Sequence, residues 1–66
     1  MLTMIDRRKL LNAGFRIFRR DELRKLIKEC RGENLSWYKV GDYKSIAEMN
    51  RMMDSLLMSQ TNIEED

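Results

Sequence analysis

The fold of this chain depends on residues 22–31, which read ELRKLIKECR. The apolar residues of this stretch recur at i, i+3, i+4 and i+7, and this local periodicity favours one face of a helix. Asp21 is a suitable N-cap for such a helix, and Gly32 is a suitable end. Residues 24–30 can instead be the middle strand of a meander, with short turns on both sides. The apolar positions concerned are Leu23, Leu26, Ile27 and Cys30.

The segments on either side favour the strand. Residues 14–19 and 35–40 are rich in aromatic and β-branched residues and lie beside glycines, so both are predicted to be strands. Alternation places Ile17 and Phe18 on opposite faces of the first strand. Two strands do not form a stable sheet, whereas three strands covered by one helix form a compact two-layer unit. We therefore favour a strand over a helix for the middle segment.

The clearest helix spans residues 44–60, which contain no Gly or Pro. Ser45 and Glu48 have the spacing of a capping box, in which each side chain accepts the backbone N–H of the other residue. Apolar residues follow at helical spacing, so one face of this helix is predicted to pack on the sheet. They are Ile46, Met49, Met53, Leu56 and Leu57.

The two ends of the chain complete the prediction. Residues 1–13 are expected to form a short helix capped by Thr3, or else a loose basic arm. Residues 61–66 are expected to be an acidic tail, which can fold back on basic residues. The whole chain, 1–66, is then one small α+β domain. Its core, at residues 14–60, is a three-stranded antiparallel sheet packed against one C-terminal helix.

Length and composition exclude several classes of protein. A chain of 66 residues buries a modest core and has room for one domain. Cys30 has no partner in the chain and there is no His, which excludes an internal disulfide and a structural zinc site. The longest strictly apolar run, residues 56–58, is far shorter than the roughly 20 residues of a membrane-spanning helix. We expect a cytoplasmic protein with no cofactor, no metal and no membrane partner.

Catalysis is not expected either. The chain lacks His, the usual general base, and therefore has no Cys–His or Ser–His pair that could activate a nucleophile. Its three glycines are isolated, so no glycine-rich phosphate loop is present. These observations predict that the protein is not an enzyme.

The charge is divided unevenly along the chain. Ten of the 13 Lys and Arg residues lie within residues 7–31, which have a net charge of +7, while residues 32–66 have a net charge of −4. If the middle segment is a strand, alternate residues of adjacent strands form one basic face, which suits the neutralisation of phosphates. The alternative is a solvated basic surface with Trp37 in the core. We hypothesise that the basic face binds nucleic acid, DNA rather than RNA, through Arg16, Arg19, Arg20, Arg24, Lys28 and Lys39.

The C-terminal helix is rich in methionine, which suits irregular cores and also adaptable binding surfaces. Its apolar arc is wider than the minimal core-facing stripe, which leaves Met52 at the rim, and Met58 lies off the arc. We therefore keep a second hypothesis, in which Met52 and Met58 form an interface with a second copy of the chain or with another protein.

Gly41, Tyr43, Ser45 and Ala47 belong to a turn that leads from an aromatic strand into a helix. This order of elements resembles the small three-stranded DNA-binding domains of phage and transposon integrases. In that family the sheet enters the major groove and the helix lies behind it. The added N-terminal segment, the acidic tail and the lack of a catalytic domain differ from the family, so the resemblance implies an accessory or regulatory factor. Applied to this sequence, the resemblance implies DNA contacts from Arg16, Arg19, Arg24, Lys28 and Lys39. It leaves Trp37 as either a DNA contact or a core residue.

Overall fold

The computed structural model describes residues 1–65, which form two helices and one four-stranded sheet. The class is α+β, as predicted, but the sheet has a fourth strand and is mixed rather than antiparallel. Its strand order is β3-β2-β1-β4, with β4 parallel to β1. In chain order the elements are α1 (Met4–Asn12), β1 (Arg16–Asp21), β2 (Leu26–Arg31), β3 (Ser36–Asp42), α2 (Ile46–Leu57) and β4 (Asn62–Glu64).

The ambiguous segment is a strand, which confirms the interpretation that we favoured. Residues 22–25 form a turn, and the Asp21 carboxylate accepts the Arg24 N–H at 3.2 Å. The apolar residues of this segment have helical spacing because β2 is an interior strand that is buried on both faces. Its residues therefore do not alternate between apolar and polar. Leu23 completed the helical pattern only by chance, since it lies in the turn and is 92% exposed.

The two helices lie on opposite faces of the sheet, so the fold has three layers where two were expected. Met49 and Met53 of α2 pack on Phe18 and Ile27. On the other face, α1 and the segment before it pack on a second group of buried side chains. The predicted alternation of Ile17 and Phe18 is confirmed, because each residue belongs to a different group. The second group consists of Ile17, Cys30 and Leu35.

Both helices begin at the predicted caps. Thr3 and Asp6 form a reciprocal capping box at the start of α1. At the start of α2, the Ser45 hydroxyl accepts the Glu48 N–H at 3.1 Å. The Glu48 carboxylate accepts the N–H of Lys44 at 3.2 Å, one residue before the predicted donor. The helical prediction for the N-terminal segment is therefore the correct one, and the loose arm is not.

Most of the expected acidic tail is part of the fold. β4 pairs in parallel with β1, with Ile63 opposite Ile17 and Glu64 opposite Phe18. Ile63 packs against the second group of buried side chains, on the α1 face of the sheet, and Glu65 is buried. The segment is ordered because its one apolar residue enters the core while its carboxylates meet arginines, a combination that composition alone does not reveal. Asp66 lies outside the described residues.

Candidate nucleic-acid interface

A row of three cations crosses the sheet on the face that carries α1. Arg19 of β1 lies opposite Lys28 of β2, and Lys28 lies opposite Lys39 of β3. Residues directly opposite one another in adjacent strands point to the same face. α1 packs near Ile17 and Cys30 at one end of this face, and its Arg7 reaches the row at Trp37 and Glu65, which Arg19 also contacts. We call these three residues, Arg19, Lys28 and Lys39, the cationic row.

The cationic row is partly exposed at Arg19 and Lys28 and exposed at Lys39. The exposed fractions of the three side chains are 33% for Arg19, 29% for Lys28 and 58% for Lys39. Adjacent strands are about 4.8 Å apart, and like charges directly opposite one another destabilise a sheet. The arrangement therefore has a cost in stability, which neighbouring carboxylates reduce.

Within residues 1–65, each member of the row has one carboxylate at ion-pair distance. Arg19 lies 3.5 Å from Glu65, Lys28 lies 3.4 Å from Asp21, and Lys39 lies 2.7 Å from Asp42. The hydrogen bond from the Arg24 N–H, and secondarily the Lys28 ammonium, hold the pKa of the Asp21 carboxyl below its ordinary value. The row is thus partly neutralised, and its excess of positive charge is smaller than the sequence indicates.

Trp37 lies beside the cationic row, where its ring contacts Arg19. The guanidinium carbon of Arg19 lies 4.5 Å from the centre of the indole ring, and that of Arg7 lies 5.6 Å from it. Stacking of this kind is a favourable cation–π contact that holds a guanidinium flat. Trp37 also packs against the α1-side core and is half-buried. Because guanidinium groups already lie against its ring, the indole positions Arg19 rather than offering a free surface for a base.

The predicted residues do not share one face. Arg16 and Arg20 point to the α2 side of the sheet together with Phe18, because successive residues of a strand point to opposite faces. Arg16 donates two hydrogen bonds to Glu29, at 2.9 and 3.0 Å, and these bonds raise the pKa of Arg16. The expectation of a single basic face that includes both arginines is therefore corrected.

Arg20 is held on that side by two elements. Its guanidinium donates to the Asn50 side chain of α2 at 2.6 Å and to Glu64 of β4 at 3.1 Å. Its Nε also lies 2.8 Å from Glu64, although the N–H is not aligned for a hydrogen bond, so this second contact is an ion pair only. These contacts leave Arg20 in a structural role between β1, α2 and β4.

The remaining predicted cation, Arg24, lies in the β1–β2 turn next to Lys25. Both side chains are exposed, and within residues 1–65 neither has an acidic group at ion-pair distance. The Tyr43 N–H donates to the Lys25 carbonyl at 2.9 Å, which brings the exposed Lys44 to the same end of the sheet. Lys25 and Lys44 are not among the predicted DNA contacts, although their positions beside predicted turns in the sequence indicated that they would be exposed.

The methionines of α2 and of its C-cap, Met58, divide into buried and exposed side chains. Met49 and Met53 are fully buried, whereas Met52 is 44% exposed and Met58 is 84% exposed. α2 covers the sheet face opposite the cationic row. Met52 and Met58 therefore lie on a different surface from the row, where each remains a candidate interface residue.

Two further features concern possible metal ligands and the one cysteine. Within residues 1–65, no three His, Cys, Asp or Glu side chains are grouped so that they could hold a metal ion. Cys30 is fully buried, and its burial raises the pKa of the thiol, which keeps the sulfur protonated and poorly nucleophilic. Neither α1 nor α2, the helices of this part, is long and apolar enough to cross a membrane.

Comparison with known proteins identifies no relative. The chain matches no family model, no curated protein and no solved structure. The resemblance to integrase DNA-binding domains therefore stays a prediction.

Proposed function

We propose that this protein is a non-enzymatic DNA-binding protein that contacts the phosphates of a duplex through the cationic row. The observation that carries the proposal is the placement of Arg19, Lys28 and Lys39 at directly opposite positions in three adjacent strands, with each side chain at least partly exposed. Since opposed like charges destabilise a sheet, a polyanion laid across the row would relieve their repulsion. The turn residues Arg24 and Lys25 lengthen the contact surface.

The proposed contact is with the sugar–phosphate backbone. Arg19, stacked on Trp37, keeps guanidinium donors for a phosphate, and charge-assisted hydrogen bonds of this type are among the stronger ones in proteins. The neighbouring carboxylates would lose their partners when phosphate binds, which limits affinity. Phosphate contacts carry no direct sequence information, so we propose sequence-independent binding. An accessory role in a phage or mobile element belongs to the same proposal.

The test is a titration of a labelled mixed-sequence duplex at several salt concentrations. Three to five neutralised phosphates give a slope of log K against log salt of roughly −2.7 to −4.5. Lys28→Gln and Lys39→Gln should each bring that slope closer to zero by about 0.9, because each removes one phosphate contact. Absence of binding at low salt, or binding that salt does not weaken, would contradict the proposal.

Arg51→Gln is the matched control. Arg51 is exposed on α2, beyond the opposite face of the sheet, and it has no ion-pair partner within residues 1–65. The substitution changes the net charge by the same amount as Lys28→Gln while leaving the cationic row intact. If Arg51→Gln weakens binding as much as Lys28→Gln does, net charge rather than the row is responsible.

A second function is favoured by the exposed apolar side chains of α2. Ile46 and Met52 of α2 are each 44% exposed, and Met58, the residue directly after the helix, is 84% exposed. The helix and its C-cap therefore present apolar surface on the side away from the cationic row. We propose, as the alternative, a homodimer or a complex with another protein through Met52 and Met58. Sedimentation of wild type and Met52→Glu tests the dimer, with Met4→Glu on α1 as the control. A wild-type monomer at high concentration would contradict the dimer.

A further inference from the structure

β3 is an open edge of the sheet. The strand order places it at one end, and within residues 1–65 it pairs with β2 alone. Every second residue of such a strand directs its backbone N–H and C=O groups away from the sheet, where another strand can pair with them. The opposite edge, β4, has three residues, whereas β3 has seven. β3 is therefore the longer of the two edges that a second chain can reach.

Two large apolar side chains of this edge are exposed. Tyr38 is 51% exposed and Val40 is 39% exposed. Tyr38 points to the α2 face, because its opposite residue in β2 is also the opposite residue of Phe18. The Arg31 guanidinium carbon lies 5.6 Å from the centre of the Tyr38 ring. α2 packs on β1 and β2 through Phe18 and Ile27, so the helix leaves the outer strand uncovered.

The edge has no excess of charge. Its seven residues include one cation, Lys39, and one anion, Asp42, which form an ion pair at 2.7 Å. Lysine on an edge strand usually discourages pairing with another sheet. Here the ammonium group already has a carboxylate partner in its own strand. Two copies of β3 can therefore approach each other as neutral surfaces.

A bulge and a turn limit the length of any such pairing. Lys28 lies opposite Lys39 while Ile27 lies opposite Gly41, so Val40 is an extra residue in β3. Leu35, immediately before the strand, has φ +54, which is not an extended conformation. The regular part of the edge is therefore residues 36–39. A short, bulged edge of this kind disfavours open-ended association and leaves room for one partner strand.

One antiparallel register of two copies fits this segment. Opposite residues must direct their backbone groups alike, so the two-fold axis passes through a residue. An axis at Lys39 would place the two Lys39 ammonium groups opposite each other, which destabilises a sheet. An axis at Ser36 or Trp37 would place the left-handed Leu35 in the ladder. An axis at Tyr38 avoids both conflicts, since it pairs Tyr38 with its own copy and Trp37 with Lys39.

We infer that β3 pairs with β3 of a second copy of this chain, antiparallel and with the two-fold axis at Tyr38. The two four-stranded sheets then form one sheet of eight strands, and the two Tyr38 rings meet as an aromatic cross-strand pair, which is a stabilising one. A single pair of edge strands is a small interface, so the dimer is weak. Its surface differs from the one proposed through Met52 and Met58, and its formation does not depend on DNA.

The dimer has a consequence for DNA binding, which rests on the proposed function. Because the strands pair edge to edge, both cationic rows lie on the same face of the eight-stranded sheet. The two Lys39 residues are offset by two positions, about 7 Å along the strand. A duplex laid across this face would meet six cations instead of three.

The first experiment is sedimentation equilibrium of the full chain without DNA, from about 10 μM to about 1 mM, where a weak dimer is populated. Wild type should be monomeric at the lower limit and largely dimeric at the upper one. Tyr38→Lys should weaken dimerisation about tenfold, because it replaces the aromatic pair with opposed like charges. Met52→Lys, which adds the same charge at a half-exposed position of α2, is the matched control and should dimerise like wild type.

Three results of this experiment would overturn the inference. A wild-type monomer at the upper limit would exclude a second copy and leave the edge to an extended segment of another protein. Loss of the dimer in Met52→Lys alone would assign the interface to α2. A mixture of Tyr38→Lys and Tyr38→Glu should form a heterodimer, since opposite charges then meet at the axis, and a mixture that associates no better than its components would also count against the pairing. Circular dichroism of each variant checks that it is folded.

Disulfide formation tests the register directly. With the axis at Tyr38, Tyr38→Cys brings the two Cβ atoms to about 4.5–5.5 Å, close to disulfide geometry. Lys39→Cys places the two cysteines at diagonal positions about 7–8 Å apart, which is too far. In a glutathione redox buffer, Tyr38→Cys should therefore cross-link much faster, while the fully buried Cys30 stays out of the reaction. Equal rates, or faster cross-linking of Lys39→Cys, would refute the axis at Tyr38.

Discussion

Arg7 and Glu65 lie 58 residues apart in the sequence, yet Arg7 Nε donates to the Glu65 carboxylate at 3.0 Å. The Glu65 side chain has no exposed surface, and Arg7 is 14% exposed. The same carboxylate accepts the Leu2 N–H at 3.2 Å and lies 3.5 Å from Arg19. One buried carboxylate thus connects α1, β1 and the segment after β4, and it ties the basic part of the chain to the acidic part.

Removal of the Glu65 carboxylate should strongly lower the free energy of unfolding. Glu65→Ala leaves the Arg7 guanidinium buried without its partner, which typically destabilises a protein by roughly 3–5 kcal/mol. Urea unfolding measures the loss of the free energy of unfolding. Asp42→Ala is the control, because it breaks the exposed Lys39–Asp42 pair and should cost at most about 1 kcal/mol. Similar losses in the two variants would show that the Arg7–Glu65 pair is not structural.

Gly41 should tolerate no side chain. A Cβ at this position would lie 2.9 Å from the Tyr43 hydroxyl oxygen and 3.3 Å from Cζ, so the ring must move. We expect Gly41→Ala to lower the free energy of unfolding by about 1–3 kcal/mol through overpacking. Tyr43→Phe should relieve part of that loss, since it removes the closest atom. Additive effects of the two substitutions in a double-mutant cycle would argue against the contact.

Gly41→Ala should also change the pKa of Tyr43. Burial raises the pKa of the Tyr43 phenol above its ordinary value. If Gly41→Ala pushes the ring towards solvent, that pKa should fall back towards the ordinary value. Ultraviolet titration in a Tyr38→Phe background, where Tyr43 is the one remaining tyrosine, measures the shift. An unchanged pKa would mean that the ring has stayed in place.

Lys25 is a site for stabilisation. It has φ +56, a left-handed conformation that costs a residue with a Cβ roughly 1–2 kcal/mol relative to glycine. Because the side chain is exposed, Lys25→Gly loses little packing and should raise the free energy of unfolding by about 1 kcal/mol. Lys25→Ala keeps the backbone conflict and serves as the control. Equal stability of the two variants would contradict the explanation.

Stability should fall in acid partly through Asp21. The Arg24 N–H and then Lys28 lower the pKa of this carboxyl, so the folded state favours its ionised form. Its contribution is complete above the ordinary value of about 3.9 and is lost as pH falls through the lower value of the folded state. Asp21→Asn should therefore be less stable than wild type at pH 7, and the difference should shrink below about pH 4. Glu22→Gln is the control, and a difference independent of pH would disprove the linkage.

Local patterns predicted the helices and the central strands. Thr3 and Ser45 begin helices because their side chains accept N–H groups three residues ahead, an arrangement that is visible in the sequence. The middle segment was ambiguous because β2 is buried on both faces, so its residues do not alternate between apolar and polar. The candidate site was only partly predictable: Arg19, Lys28 and Lys39 are brought together, while Arg16 and Arg20 lie on the other face.

The sequence by itself determined the class of the fold, the capped helices and the uneven charge, since these depend on neighbouring residues or on composition. Only the tertiary structure decided that β4 joins the sheet beside β1 and that Glu64 and Glu65 meet arginines. The physical reason is the distance along the chain over which each interaction acts. Caps and alternation act over a few residues, whereas an ion pair between distant residues has no local pattern and forms only when the packed core brings both ends of the chain together.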